Sequence, residues 1–243
     1  MRFHIPKPLH GWRQFAGEVG IIVLGVLIAL GFQQLVEDLH WRAEVADAKA
    51  ALRDEVNTQY DNATELAMAA PCIDEQLIGL EKVLLAPGPY RPVPMYREQV
   101  DYTYRAPARN WPDDVWRSII SEGVDSHFDR KLRLQLASHY SSVVRQSNLR
   151  DQAQAIFVRM RVLAQPIQPD AATRTMLAAE LEQARGIYMF QSVISNQLLF
   201  DITDMGMRPD EKAVARVLST SGTLKFCRAH HLALARPQPQ RSR

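Results

Sequence analysis

An uninterrupted apolar run dominates the start of the chain. Residues Val19 to Phe32 read VGIIVLGVLIALGF, which is fourteen apolar residues without a charge. As a helix this run would rise about 21 Å, less than the roughly 30 Å hydrocarbon core of a bilayer. Extended to residues 15–36 it would rise about 33 Å, with Glu18 near one end. The pattern therefore predicts a transmembrane helix over 15–36 behind a short cytoplasmic stub, residues 1–14.

Two other interpretations of the run remain open. Ala29-Leu30-Gly31 is a small-x-small sequence after an apolar core, which is typical of a cleaved signal peptide and would give a secreted helical protein. A buried helix of a soluble protein is the third alternative. However, the helical spacing continues past Gly31 through Leu35, Leu39 and Leu52, which favours an uncleaved anchor that runs on as a longer helix.

The rest of the chain has the apolar spacing of three and four that predicts helices. Residues 37–70 read as an amphipathic stalk helix that Pro71 ends, and residues 71–232 as a helical bundle with one long Pro/Tyr-rich loop over 87–110. Residues 233–243 read as a disordered basic tail. The sequence thus predicts an all-α protein: a transmembrane helix, a stalk and an extracytoplasmic helical bundle.

Helix boundaries inside the bundle follow from its turn and capping residues. We expect a short helix that starts near Trp111 and stops at Gly123, and a longer helix over 126–164. Asp170 is a candidate N-cap for the next helix, which would reach about residue 205. The last helix is expected over 209–219.

Charge and motifs exclude several functions. Outside residues 1–36 the chain holds 26 basic and 26 acidic residues, and this neutrality argues against nucleic-acid binding. The sequence carries no nucleophile elbow, phosphate loop, dinucleotide fingerprint or zinc motif. We therefore assign no catalytic, cofactor-binding or metal residue and expect no cofactor. His139, within the long predicted helix, is interpreted as a packing or rim residue, with a catalytic base as the alternative.

One segment is a candidate pocket. Residues Gly186 to Phe200 carry no charge, although polar side chains interrupt them, and such a helix is typical of the centre of a bundle. A pocket between helices would draw on Gln191, Ser195 and Asn196, with Tyr102 and Tyr104 of the Pro/Tyr-rich loop. The alternative is that these polar groups are hydrogen-bonded in the core or face water.

The anchor carries a recognisable motif. Gly17-Glu18, six further residues and then Gly25-Val-Leu-Ile-Ala-Leu30 give G-E-x6-G-x-L-I-A-L, followed by the acidic, Trp-containing segment 37–42. This resembles the N-terminus of a family of bacterial single-pass membrane proteins without an assigned activity. The resemblance covers about thirty residues. It implies an anchor in the bacterial cytoplasmic membrane and an extracytoplasmic helical domain.

Orientation and cysteine usage agree with that topology. Arg2, Lys7 and Arg13 precede the span, which weakly favours a cytoplasmic N-terminus. Cys72 and Cys227 are the only cysteines, and we expect them to form a disulfide in an oxidising compartment, with two free core thiols as the alternative.

The function expected from these features is an interaction or ligand-sensing module held at the membrane, with the lipid bilayer and an unidentified protein as partners. The small-xxx-small pairs Ala16/Gly20 and Gly25/Ala29 allow close helix contact, so a homodimer through anchor and stalk is a further expectation. The competing function is a membrane-tethered enzyme of unfamiliar class.

Overall fold

The structure, a computed structural model, describes residues 12–93, 103–207 and 212–236. These residues form α-helices joined by two short 3-10 helices and irregular segments, which confirms the all-α class. The α-helices are α1 Trp12–Leu85, α2 Asp114–Ser121, α3 Arg130–Arg159, α4 Ala171–Asp204, α5 Ala213–Thr220 and α6 Gly222–Ala229. The 3-10 helices are Val124–His127 and Met160–Ala164, and one isolated antiparallel bridge joins Tyr90 to Ile167.

Helix α1 is 74 residues long and joins the apolar run to the core of the domain. Within the described chain one helix is long and apolar enough to cross a membrane, and its apolar window is entirely exposed. The expected break at Pro71 is wrong, because the helix continues through it to Leu85. Proline removes the amide that would bond to the Ala67 carbonyl. In the same turn the Met68 carbonyl accepts a hydrogen bond from the Ala235 amide at 2.9 Å, so tertiary contact supports the weakened turn.

The expected division into a stalk at 37–70 and a bundle at 71–232 also needs correction. Leu52 is fully buried, and from there to Leu84 one side of α1 belongs to the hydrophobic core. Below Leu52 the domain still contacts α1, because Trp41 stacks on His127 with ring centroids 3.9 Å apart. Sequence periodicity could not distinguish a free amphipathic stalk from a helix covered by later segments.

The core of the domain is built from α1, α3 and α4. Near its C-terminal end α1 meets the start of α4, where the Arg174 guanidinium donates to the Leu84 carbonyl and, at 2.8 Å, to the Ala86 carbonyl. At the other end of α4, Ile202 packs against Val56 and Tyr60. Helix α4 therefore runs antiparallel to α1.

Helix α3 also runs antiparallel to α4, and side-chain pairs mark both ends of the contact. The start of α3 meets the end of α4 where Gln135 donates to Asp204 at 2.7 Å. The end of α3 meets the start of α4 where Arg159 pairs with Glu180 at 2.8 Å. Helices α1 and α3 thus point the same way.

Capping residues set several helix starts. The Asp170 carboxylate accepts from the Thr173 amide at 2.8 Å, so the expected cap and helix are confirmed. The long helix expected from residue 126 begins at Arg130 instead, because the Asp129 side chain caps it. The helix expected over 209–219 corresponds to α5, Ala213–Thr220, and its expected start lies outside the described residues. Helix α6 was not predicted; it starts where Ser221 accepts from the Leu224 amide at 3.0 Å.

Cys72 of α1 and Cys227 of α6 form the expected disulfide, with their Cα atoms 6.0 Å apart. Both residues are fully buried in the main core cluster. The bond links the C-terminal helix α6 to α1 at a point 13 residues before the end of α1.

Candidate functional site

The residues expected to form a pocket belong to two different hydrogen-bonded groups. Tyr104 is buried, and its hydroxyl lies 3.2 Å from the Tyr188 hydroxyl, with the two rings edge to face. Burial and the neighbouring phenol raise the pKa of Tyr104 well above its usual value, and burial raises the pKa of Tyr188 to about 12. Both phenols therefore stay neutral at physiological pH. Tyr102 lies outside the described residues.

The α4 residues of the expected pocket meet α3. The Gln146 amide donates to the Ser195 hydroxyl at 2.7 Å and to the Gln191 carbonyl at 2.8 Å. Asn196, which is half-buried, donates to the Ser192 carbonyl of its own helix at 2.9 Å. Along α4, Gln191 is three residues from Tyr188 and Ser195 is seven, or about 5 and 10 Å. The hydrogen bonds join each group to a different segment, Tyr104 in one case and α3 in the other, and a pocket between them stays a prediction.

A third polar region, absent from the sequence predictions, follows one face of α1. Five buried polar residues lie along it, and we call them the polar stripe: Glu55, Gln59, Asn62, Glu65 and Gln76. They face residues 103–113, an irregular segment that we call the strap. A segment without regular structure must find partners for its backbone amides and carbonyls elsewhere. The polar stripe provides partners for the amide of Arg105 and for the carbonyls of Arg105, Asn110 and Pro112.

The first part of the strap, which includes Arg105 and Arg109, is held by Gln76 and Glu65 of α1. The Gln76 side chain accepts from the Arg105 amide at 2.7 Å and donates to the Arg105 carbonyl at 3.0 Å. The Glu65 carboxylate accepts from the Arg109 guanidinium at 2.6 Å and from the Ser221 hydroxyl. The hydrogen bond to Glu65 raises the pKa of Arg109 above its usual value. Glu65 thus joins the strap to the start of α6.

The second part of the strap, which includes Asn110 and Pro112, is held by Asn62 and Gln59 of α1. Asn62 donates to the Asn110 carbonyl at 2.7 Å, and Gln59 donates to the Pro112 carbonyl at 2.6 Å. From Gln76 to Gln59 α1 rises about 26 Å, and seven strap residues cover that distance. An extended chain of seven residues spans at most about 25 Å, so the reach of the two glutamine side chains makes up the remainder. The strap therefore follows an extended path antiparallel to α1.

The stripe ends at a buried carboxylate. One oxygen of Glu55 accepts from the Val115 amide in the first turn of α2 at 2.9 Å, and the other accepts from the Tyr140 hydroxyl at 2.6 Å. An anion at a helix N-terminus satisfies an otherwise unpaired amide and opposes the positive end of the helix dipole. Tyr140 also stacks on Trp116, so Glu55 fixes α2 against α3.

His139 lies behind the stripe and is fully buried, which agrees with its interpretation as a packing residue. Its Nε2 lies 2.7 Å from the Gln59 Oε1. Because the Gln59 oxygen can only accept, Nε2 carries the proton, and the other ring nitrogen has no hydrogen-bond partner. Burial lowers the pKa of His139 to about 4. The imidazole is therefore neutral at physiological pH and serves as a donor to Gln59.

These buried groups are structural in their chemistry. The carboxylates and amides of the stripe, and the His139 imidazole behind it, bond to the backbone and side chains that they hold. Within the described ranges, no group of three or more His, Cys, Asp or Glu residues could hold a metal ion. The stripe orders the strap and α2 rather than presenting a reactive group to solvent.

The outward face of α4 differs from the central helix expected from the sequence. Helix α4 buries one side against α1 and α3, but Met189, Val193 and Phe200 on the opposite side are 67, 58 and 65 % exposed. Phe190 beside them is also exposed. The apolar character of 186–200 therefore has two origins, a core face and an exposed face.

The small residues of the anchor lie on one continuous helix, and all four are exposed. Ala16 and Gly25 are nine residues apart, as are Gly20 and Ala29. Nine residues turn a helix through about 900°, which places the second pair about 180° from the first. A neighbouring helix would therefore meet one pair at a time, and the expected helix contact through Ala16/Gly20 and Gly25/Ala29 stays a prediction.

The signal for the strap was present in the sequence but ambiguous. Glu55, Gln59 and Asn62 follow each other at spacings of four and three, and the segment they hold is rich in proline. A polar stripe on a helix is read as a solvated face unless a partner is known.

Comparison with protein-family models, curated proteins and solved structures finds no match to this chain.

Proposed function

We propose that the protein is a membrane-anchored interaction module whose helical domain lies outside the cytoplasm. The observation that carries this proposal is the continuity of α1, from its exposed apolar segment to the top of the domain core. One helix without a linker fixes the height and tilt of the domain relative to the bilayer. A connection of this kind would hold an interaction surface of the domain at a fixed distance from the membrane.

The disulfide supports the extracytoplasmic side. Disulfides persist in oxidising compartments and are rare in the cytosol. Cys72 and Cys227 join distant parts of the domain, so their oxidation is part of the folded structure. With a cytoplasmic N-terminus, the resemblance of residues 17–30 to bacterial single-pass proteins points to the cytoplasmic membrane as the location.

The outward face of α4 is the surface that the module offers. It lies on the side of α4 away from α1, and α1 rises about 1.5 Å per residue from the end of the span. Ile202 packs against Val56, twenty residues beyond residue 36, so the face begins about 30 Å above the hydrocarbon core. At this height the face would contact a neighbouring protein rather than the lipid.

A photo-crosslinking amino acid at Val193 of the full chain, in intact cells, tests this function. Leu134 of α3 is the matched control, because it is also apolar and is 59 % exposed. We expect a discrete protein adduct from position 193 in the membrane fraction and none from position 134. No adduct at 193, or equal adducts at both positions, would contradict an interaction surface on α4.

A further inference from the structure

Three exposed apolar residues of α4, Met189, Val193 and Phe200, lie on one line of heptad spacing with Gly186 and Asn196. Positions 186, 189, 193, 196 and 200 are spaced by three, four, three and four residues, and we call this line the outer seam: Gly186, Met189, Val193, Asn196 and Phe200. This spacing keeps side chains on one helix face toward a partner helix. The residues that pack α4 into its own core, such as Leu198 and Ile202, lie on the other side. Helix α4 therefore has a second packing face that its own domain does not cover.

We propose that the outer seam binds the outer seam of a second copy of this chain, forming a parallel pair of α4 helices about a twofold axis normal to the membrane. This rests on the proposed function, since the shared anchor holds both copies at the same height and in the same orientation. Each seam residue then meets its own counterpart across the axis, as a twofold interface requires.

Charge favours a second copy as the occupant. Residues 186–200 of α4, which carry the seam, contain no charged residue. A face that binds its own copy must bring identical residues together, and like charges there would repel. Asn196 is the polar member of the seam. Its Nδ2 donates one hydrogen to the Ser192 carbonyl, which leaves the second hydrogen and the Oδ1 to bond with the same amide of the second copy. A polar residue within an apolar seam fixes register and helix number.

The face exposes about half the area that a stable interface between soluble proteins buries on each partner, so the pairing depends on the membrane. Met189, Phe190, Val193 and Phe200 expose about 400 Å² together, taking roughly 100 Å² for each half-exposed side chain. A stable interface between soluble proteins buries about 800 Å² on each partner. Anchoring both copies in one bilayer raises their effective concentration, which allows a smaller contact to form.

The test is disulfide cross-linking of the full chain in native membranes. The native cysteines are already paired, so Val193→Cys adds the one free thiol. Under mild oxidation we expect V193C and F200C to shift from 27.6 kDa to twice that mass on a non-reducing gel. Leu134→Cys, with similar exposure, should remain monomeric. Equal cross-linking of V193C and L134C, or a monomeric V193C, overturns the pairing.

A charged variant and the photo-crosslinking result separate this inference from the proposed function. Val193→Glu combined with F200C should lose the cross-linked dimer, while its membrane retention and trypsin resistance remain those of F200C alone. Undiminished cross-linking in this double variant overturns the seam. An adduct between position 193 and a different protein leaves the interaction module standing but overturns self-pairing.

Discussion

The Tyr140 hydroxyl donates a 2.6 Å hydrogen bond to the buried carboxylate of Glu55. Through this contact α1, which carries the apolar span, is joined to α3. The other Glu55 oxygen holds the first turn of α2. The Glu55 carboxylate of α1 therefore bonds to both α2 and α3.

Removing the Tyr140 hydroxyl should destabilise the domain more than removing the Tyr104 hydroxyl. Tyr140→Phe leaves a buried carboxylate oxygen without a donor, at a cost of about 1.5–3 kcal/mol. Tyr104→Phe disrupts a neutral pair with Tyr188, and hydrogen bonds to charged groups are roughly twice as strong. Denaturant unfolding of the detergent-solubilised chain, followed by tryptophan fluorescence, measures both. An equal or larger loss in Y104F would contradict the role of Glu55.

The buried imidazole of His139 should make stability depend on pH. Its pKa is about 4 in the folded protein, below the ordinary value of about 6.5. Between these values the unfolded chain binds more protons, so the free energy of unfolding falls as the pH drops from about 6.5 to 4. The loss from this residue reaches about 3 kcal/mol below pH 4, where the folded and the unfolded states are both protonated.

The variant His139→Gln isolates that effect, because glutamine keeps a donor for Gln59 but does not titrate. Unfolding of H139Q should show a shallower pH dependence than the original chain between pH 4 and 6.5. Superimposable pH profiles would show that His139 is not held neutral by the fold.

Gln76 should control the order of the strap. Gln76→Ala removes the partners of the Arg105 amide and carbonyl, at a local cost of about 1–3 kcal/mol. We expect faster hydrogen exchange at the Arg105 amide, by roughly tenfold or more. The control is Gln183→Ala on the exposed side of α4. Unchanged exchange at Arg105 in Q76A would mean that the stripe does not hold the strap.

The disulfide should be both closed and strongly stabilising. The cysteines are 155 residues apart in sequence, and the chain-entropy model gives about 5 kcal/mol for a loop of that length. The double variant C72A/C227A should therefore melt at a lower temperature. In freshly isolated protein neither sulfur should react with an alkylating reagent until a reductant is added. Alkylation without a reductant would contradict the pairing.

Helix content and several helix boundaries could be predicted from the sequence, because they depend on local signals. Asp170 caps α4 through an amide three residues away, and Gly123 adopts the left-handed backbone that follows α2. Spacing of three and four residues then identifies the apolar face that each helix buries. These relations are contained within one or two turns.

The course of the strap, the continuity of α1 through Pro71 and the partners of the candidate pocket residues could not be predicted from the sequence. All three depend on contacts between residues that are distant in the chain. Pro71 lies in a turn supported by Ala235, and Gln59 reads as a solvated residue until the Pro112 carbonyl is placed beside it. Likewise, the Ser195 hydroxyl accepts a hydrogen bond from Gln146 of α3, a partner that is distant in the sequence. Hydrophobic periodicity carries no information about which remote segment covers a face.

The most direct test of the central claim is the side of the membrane on which the domain lies. Two reporters should be fused in turn after Arg243 of the full chain, one active only outside the cytoplasm and one active only inside. We predict that the external reporter is active, the internal one is inactive, and the protein stays in the membrane after an alkaline wash. Activity of the internal reporter alone, or release of the protein by the wash, would contradict a membrane-anchored extracytoplasmic module.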